Sequence, residues 1–192
     1  MKLIVALLAV ILTSAPGLAQ QQAEPAPTAR PGESQRLDRL FERLKAAPNA
    51  EAAKAFANQI EQRFEKSGSD TADLMLQRAK LAIESKNLDT ALDLIDFVVT
   101  LKPDWAEAYH RRAIIHFILK DEESAIRDIR LALAHEPRHF HALAGLGRLL
   151  QMMGQKKQAY QVYQRTLDVH PHFPDIAPMI ERLKKEAEGQ PI

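Results

Sequence analysis

FHALAGLGRLLQMMGQKKQAYQVYQRTLDVHPHF, residues 140–173, is the stretch whose reading decides the fold. It carries Leu143, Leu146, Gly147 and Leu150, then Ala159 and Tyr163, then Pro171. Large apolar residues three and four apart trace one face of an α-helix, and here two such faces follow one another. Gly147 and Ala159 are small enough to let two antiparallel helices approach closely, while the bulky residues fill the space toward the neighbouring unit. Pro171 cannot continue a helix and ends the second one.

The same residue classes recur upstream in frames of 34 that begin at Ala72, Ala106 and Phe140. Position 8 holds Ala79, Ala113 and Gly147; position 20 holds Ala91, Ala125 and Ala159. Position 27 holds Val98, Ala132 and Thr166, and position 32 holds Pro103, Pro137 and Pro171. Bulky residues fill position 4 (Met75, Tyr109, Leu143) and position 24 (Ile95, Ile129, Tyr163). Self-similarity at this period is the mark of a solenoid, whose units bury their apolar faces only by stacking.

In these residues the chain resembles the tetratricopeptide-repeat (TPR) family. Leu143-x2-Leu146-Gly147-x2-Leu150, Ala159-x3-Tyr163 and Pro171 follow the family pattern; Arg78 and Arg112 depart from it at position 7, and Ala82 and His116 where an aromatic is common. The resemblance implies an all-α fold, a right-handed α-α superhelix of antiparallel helix pairs. Its regular repeats are 72–105, 106–139 and 140–173, with an atypical helix pair over 34–71 and a capping helix over 174–188. Atypical terminal units are expected because each end of a solenoid must be covered.

Outward from the repeats, Ser34 is a good N-cap before Leu37, Leu40, Phe41 and Leu44. A second helix should follow Pro48-Asn49, carry Phe56, Ile60 and Phe64 on one face, and stop at Ser67-Gly68-Ser69. Residues 20–33 are rich in Gln, Pro and Ala with no apolar period, which reads as a disordered tether. Residues 1–19 read as a signal peptide: Met1-Lys2, the apolar run Leu3 to Leu12, and small residues at Gly17 and Ala19 predict cleavage after Ala19. The expected location is the periplasm, with no membrane insertion after cleavage.

The charge balance excludes some classes of function. Of 26 basic and 25 acidic residues the leader removes only Lys2, leaving 26 − 1 = 25 against 25. A neutral chain makes no electrostatic case for nucleic acid or an anionic bilayer. The absence of cysteine rules out disulfides, thiolate metal sites and cysteine catalysis. No phosphate-binding loop, nucleophile elbow or zincin motif is present, so no catalytic residue, cofactor or metal is expected.

Histidines cluster at two junctions, His135, His139 and His141, then His170 and His172. Pro137 separates His135 from His139, so the pair cannot share a regular helix. Trp105, His139 and Phe173 all stand two residues after the repeat proline, which makes His139 a planar packing residue rather than a ligand. Asp121-Glu122-Glu123 should cap a helix, and Asp89, Asp93 and Asp96 should form a solvated face.

By the TPR resemblance, the first helix of each unit lines a concave groove through frame positions 2, 5, 9 and 12. These are Asp73, Leu76, Lys80 and Ile83; Glu107, His110, Ile114 and Phe117; His141, Ala144, Arg148 and Gln151. The expected partner is another protein, held as an extended peptide or helix, with Lys80 and Arg148 available to carboxylates or carbonyls. The carboxylate clamp of chaperone-binding TPR proteins does not transfer, because Leu76, Lys80, His141 and Gly145 hold its positions. The function implied is a non-catalytic adaptor or scaffold; the alternative is a self-associating structural or regulatory subunit of an envelope complex.

Overall fold

A computed structural model describes residues 31–187, and the signal-peptide reading and most of the tether reading lie outside the described residues. Among the described residues the structure is nine helices and no strand. They are α1 (Pro31–Lys45), α2 (Ala50–Phe64), α3 (Asp70–Glu84), α4 (Leu88–Leu101), α5 (Ala106–Ile118), α6 (Glu122–His135), α7 (Phe140–Met152), α8 (Lys156–Val169) and α9 (Ile176–Ala187). The tether reading needs correction at its end. α1 starts at Pro31 rather than at Ser34, since proline is favoured in a first helical turn and Glu33 there meets the positive end of the helix dipole.

The pairs α3–α4, α5–α6 and α7–α8 are the three repeats. Their small positions seal each pair: Ala79, Ala91, Ala125 and Ala159 are fully buried, and a Cβ added to Gly147 would collide with the Tyr163 ring. The bulky positions fill the space between, with Ile95, Leu143 and Tyr163 inaccessible to solvent. Each hairpin turns at frame position 15 through a left-handed residue, Lys86 (φ 61°), Lys120 (φ 63°) and Gly154 (φ 74°). The next residue's amide returns five residues, Asn87 to the Ala82 carbonyl, Asp121 to His116 and Gln155 to Leu150, which closes the last turn of the first helix. Asn87 and Asp121 then cap the second helix, the latter through the Ser124 amide.

The two ends are built differently. α9 covers the last repeat, burying Ile176 and Leu183 in the core that runs from α5 to α8. The N-terminal pair does not cover the first repeat in the way the solenoid plan anticipates. α1 packs near α8, and the α1–α2 core of Phe41, Leu44, Ala53, Ile60 and Phe64 is completed by Phe140, Val169 and Phe173 from the far end of the repeat array. The pair lies along the edge formed by the repeat junctions, because its aromatic and acidic residues find partners there.

Candidate functional site

That edge is a ladder of equivalent residues. Trp105, His139 and Phe173 occupy the same frame position, and each junction repeats one turn: Trp105, His139 and Phe173 each donate their amide to the carbonyl three residues back. The Trp105 indole N–H donates to the Phe64 carbonyl at 2.8 Å. His139 lies flat on the Phe64 ring, with centroids 4.5 Å apart and planes at 16°. Further along, His141 pairs with Glu61 at 3.0 Å, His172 with the Ala47 carbonyl at 3.0 Å, and Arg138 with Asp38 at 2.7 Å while its guanidinium sits over Phe41.

This docking divides the twelve groove positions into two sets. Lys80 is taken by Glu65, which also meets Arg111 at 3.4 Å. Asp73 accepts from the Ser67 amide and hydroxyl and so belongs to the turn between α2 and α3. Leu76 is fully buried in the first-repeat core, and Ile83 packs partly buried against the same core. Glu107 is buried beneath His139 and Arg111, and Gln151 accepts the Tyr163 hydroxyl. The structure therefore does not gather these six into one open surface.

The other six come together. His110, Ile114, Phe117, His141, Ala144 and Arg148 line one cleft of about 330 Å³, with Arg111, Ile129, Gly145, Leu149 and Phe173 completing it. The floor is apolar and the rim is basic. Arg111 is engaged by Glu107 and Glu65, whereas Arg148 has no ion-pair partner among the described residues. Sequence reasoning missed Arg111 and Phe173 because their place in the cleft depends on α2 and on the junction loop, which the repeat frame does not register.

Glu107, His110 and His139 bring carboxylate and imidazole atoms within 4.8 Å of one another, the one group of metal-ligand type among the described residues. The proton positions argue for a hydrogen-bonded His139–Glu107 pair, with His110 Nδ1 3.5 Å from the same carboxylate. His139 Nδ1 accepts the Ala142 amide at 3.3 Å, capping α7, so its Nε2 carries the proton and donates to Glu107 Oε2 at 2.9 Å. A metal at that Nε2 would need the opposite tautomer and would set two protons against each other at the cap. Burial pushes the Glu107 carboxyl up, but the His110 and His139 imidazoles set against it hold it well below the ordinary carboxylate range. Burial, reinforced by His139, lowers the His110 imidazole from 6.5 to about 4.

Comparison with known proteins gives the chain relatives in sequence and in fold. No family model matches the chain. A TPR repeat-containing protein of Rhizobium etli is 39% identical over 137 residues, covering 71% of this chain and 67% of the relative. Among solved structures, the first TPR of Spaghetti (RPAP3) bound to the HSP90 peptide SRMEEVD superposes with a TM-score of 0.59 at 19% identity, covering 62% of this chain and 95% of that one. MamA superposes with a TM-score of 0.57 at 20% identity over 82% of this chain and 79% of its own.

Proposed function

The chain belongs to the tetratricopeptide-repeat family, and from that we propose that it is a non-catalytic adaptor, exported to the periplasm, that holds a segment of another protein in the cleft between α5 and α7. The observation that carries this reading is the cleft itself: an apolar floor of Ile114, Ala144 and Leu149 beneath Arg148, a cation with no ion-pair partner among the described residues. Such a site suits an apolar side chain whose backbone carbonyls or neighbouring carboxylate meet the guanidinium. Its volume of about 330 Å³ accommodates one or two side chains, so the ligand is a short anchor rather than a long buried strand. The solved RPAP3 complex, a likeness in fold alone, supports a peptide as the ligand class. Export rests on the apolar run Leu3 to Leu12 and on Gly17 and Ala19.

The test is photocrosslinking in the native cell from a reactive group at Phe117, with the captured protein identified, repeated in an Arg148→Glu background. The proposal expects one dominant crosslinked partner that is lost on charge reversal. Crosslinking that persists unchanged in Arg148→Glu overturns the cleft as the binding site. Mass measurement of the same chain from the periplasmic fraction tests cleavage after Ala19.

A further inference from the structure

Charge is segregated around the N-terminal helix pair. Arg36, Arg39 and Arg43 stand three and four residues apart on one face of α1, and with Leu40 they line a recess completed by Gln59 and Arg63 of α2. Four guanidiniums therefore border one space of about 220 Å³, and no carboxylate lines it. None of the four has an ion-pair partner among the described residues. The arginines that bind α1–α2 and the repeats together are matched instead: Arg111 by Glu107 and Glu65, Arg112 by Asp128 and Asp96, Arg138 by Asp38 and Glu136. α1 carries acids too, but Asp38 and Glu42 border a different recess beside Lys45 and Arg138. Glu33, one turn before Arg36, does not line the arginine recess either. The neutrality of the whole chain conceals this patch, because the balancing acids lie on other faces.

We propose that the recess between α1 and α2 is an anion site for a small soluble ligand bearing two linked phosphate groups, held by Arg36, Arg39, Arg43 and Arg63. The charge count selects the ligand. A phosphate group carries about −1.5 to −2 near neutral pH, so two of them neutralise four guanidiniums, whereas one leaves about half of the charge uncompensated. A guanidinium presents its N–H groups as a planar fork that engages two phosphate oxygens at once, and the Gln59 amide adds a further donor. Seven residues separate Arg36 from Arg43, or about 10 Å along the helix, which gives each phosphate its own pair of cations. Size excludes larger anions: about 220 Å³ admits a diphosphate, while a bilayer or a nucleic-acid duplex cannot enter it. All four arginines are exposed, so a solute reaches them without any movement of the fold. Leu40 beneath them belongs to the α1–α2 core with Phe41 and Leu44, and that packing holds the four like charges together against their repulsion. The recess shares no residue with the cleft lined by Arg148, so anion binding and partner binding can fail independently.

Titration calorimetry of the full chain with inorganic pyrophosphate tests the proposal, at about 0.15 M salt so that attraction beyond about 8 Å is screened. One pyrophosphate per chain is expected, with inorganic phosphate binding at least about tenfold more weakly. The double variant Arg39→Gln with Arg63→Gln should lose pyrophosphate at least about tenfold in affinity. Both positions are exposed, so its far-UV dichroism and its melting temperature without ligand should match the wild type. A control that removes two exposed arginines elsewhere, Arg130→Gln with Arg165→Gln, has the same net charge and should bind pyrophosphate as the wild type does. Absence of pyrophosphate binding, or an equal loss in both double variants, overturns the proposal. Flotation with phosphatidylglycerol vesicles by a chain that ignores pyrophosphate would also overturn it, since the patch would then serve a membrane surface. Loss of the photocrosslinked partner in Arg148→Glu with pyrophosphate binding intact is the expected independence.

Discussion

The Phe64 ring stacks on the His139 imidazole, 4.5 Å between centroids, and joins the last turn of α2 to the N-cap of α7. Phe64 is 8% exposed and also touches Phe41 and Phe140, so it ties three elements together. Replacing it with alanine should cost about 3–5 kcal/mol, the range for a buried aromatic truncation, read from urea unfolding. The loss should be local in origin. Hydrogen exchange in Phe64→Ala should accelerate first along α1, α2 and the Glu107 to His110 turn, while the α7–α8 pair stays protected.

Arg112 is the residue where the repeat pattern departs most informatively. It replaces the usual leucine at position 7 and forms a two-pronged pair with Asp128, at 2.7 and 2.8 Å, with Asp96 adding a third bond at 2.9 Å. Asp128 is fully buried. Arg112→Leu alone should destabilise by about 3–5 kcal/mol, because it strands a buried carboxylate. The double change Arg112→Leu with Asp128→Leu should recover most of that, since the third repeat packs Leu146 and Val162 at the same two positions. Unfolding of both variants in urea checks this, and a double variant as weak as the single one would contradict it.

The repeat frame made the three regular pairs legible because each buried position has a fixed reason in it: Ala125 must be small, Ile129 must be large and Pro137 must break the helix. What was not legible has one common cause. The docking of α1–α2 depends on matches between positions far apart in the chain, such as Glu61 with His141 and Arg138 with Asp38, and no local period encodes them. Lys80, Asp73, Leu76, Ile83 and Glu107 are therefore held by the α2–α3 segment or the core, and Gln151 by the Tyr163 hydroxyl, none of which the repeat pattern registers. His139 read as a packing residue from its alignment with Trp105 and Phe173, and it stacks on Phe64. Asp96 is on a solvated face, as its spacing predicts, and from there it also bonds Arg112.

The hairpin turns store a removable strain. Lys120 sits at φ 63° where the third repeat has Gly154 at φ 74°. A side chain in the left-handed region costs about 1 kcal/mol relative to glycine. Lys120→Gly should therefore stabilise the chain by up to about 1 kcal/mol, less whatever the more flexible unfolded chain takes back. The melting temperature should rise, and a fall would mean that the Lys120 side chain makes contacts worth more than the strain.

Acid should weaken the fold well above the carboxylate range. Burial lowers both His110 and His170 from 6.5 to about 4, with His139 adding to the first and His141 and His172 to the second. His110 faces Glu107, Arg111, His139 and His141, and only Glu107 favours its proton. Between about pH 6.5 and pH 4 the unfolded chain binds protons at these two sites that the folded chain refuses, so stability falls as pH falls, by roughly 1.4 kcal/mol per pH unit for each histidine. Glu107 and Glu61, both held below 4.5 by their histidine partners against the cost of burial, extend the loss in the same direction at lower pH. Urea midpoints measured from pH 7.5 down to pH 4.5 should drop steadily, and His110→Leu should remove about half of the slope because one of the two imidazoles that refuse a proton in the folded chain is gone. A flat profile would mean that both imidazoles take up protons in the folded chain as readily as in the unfolded one.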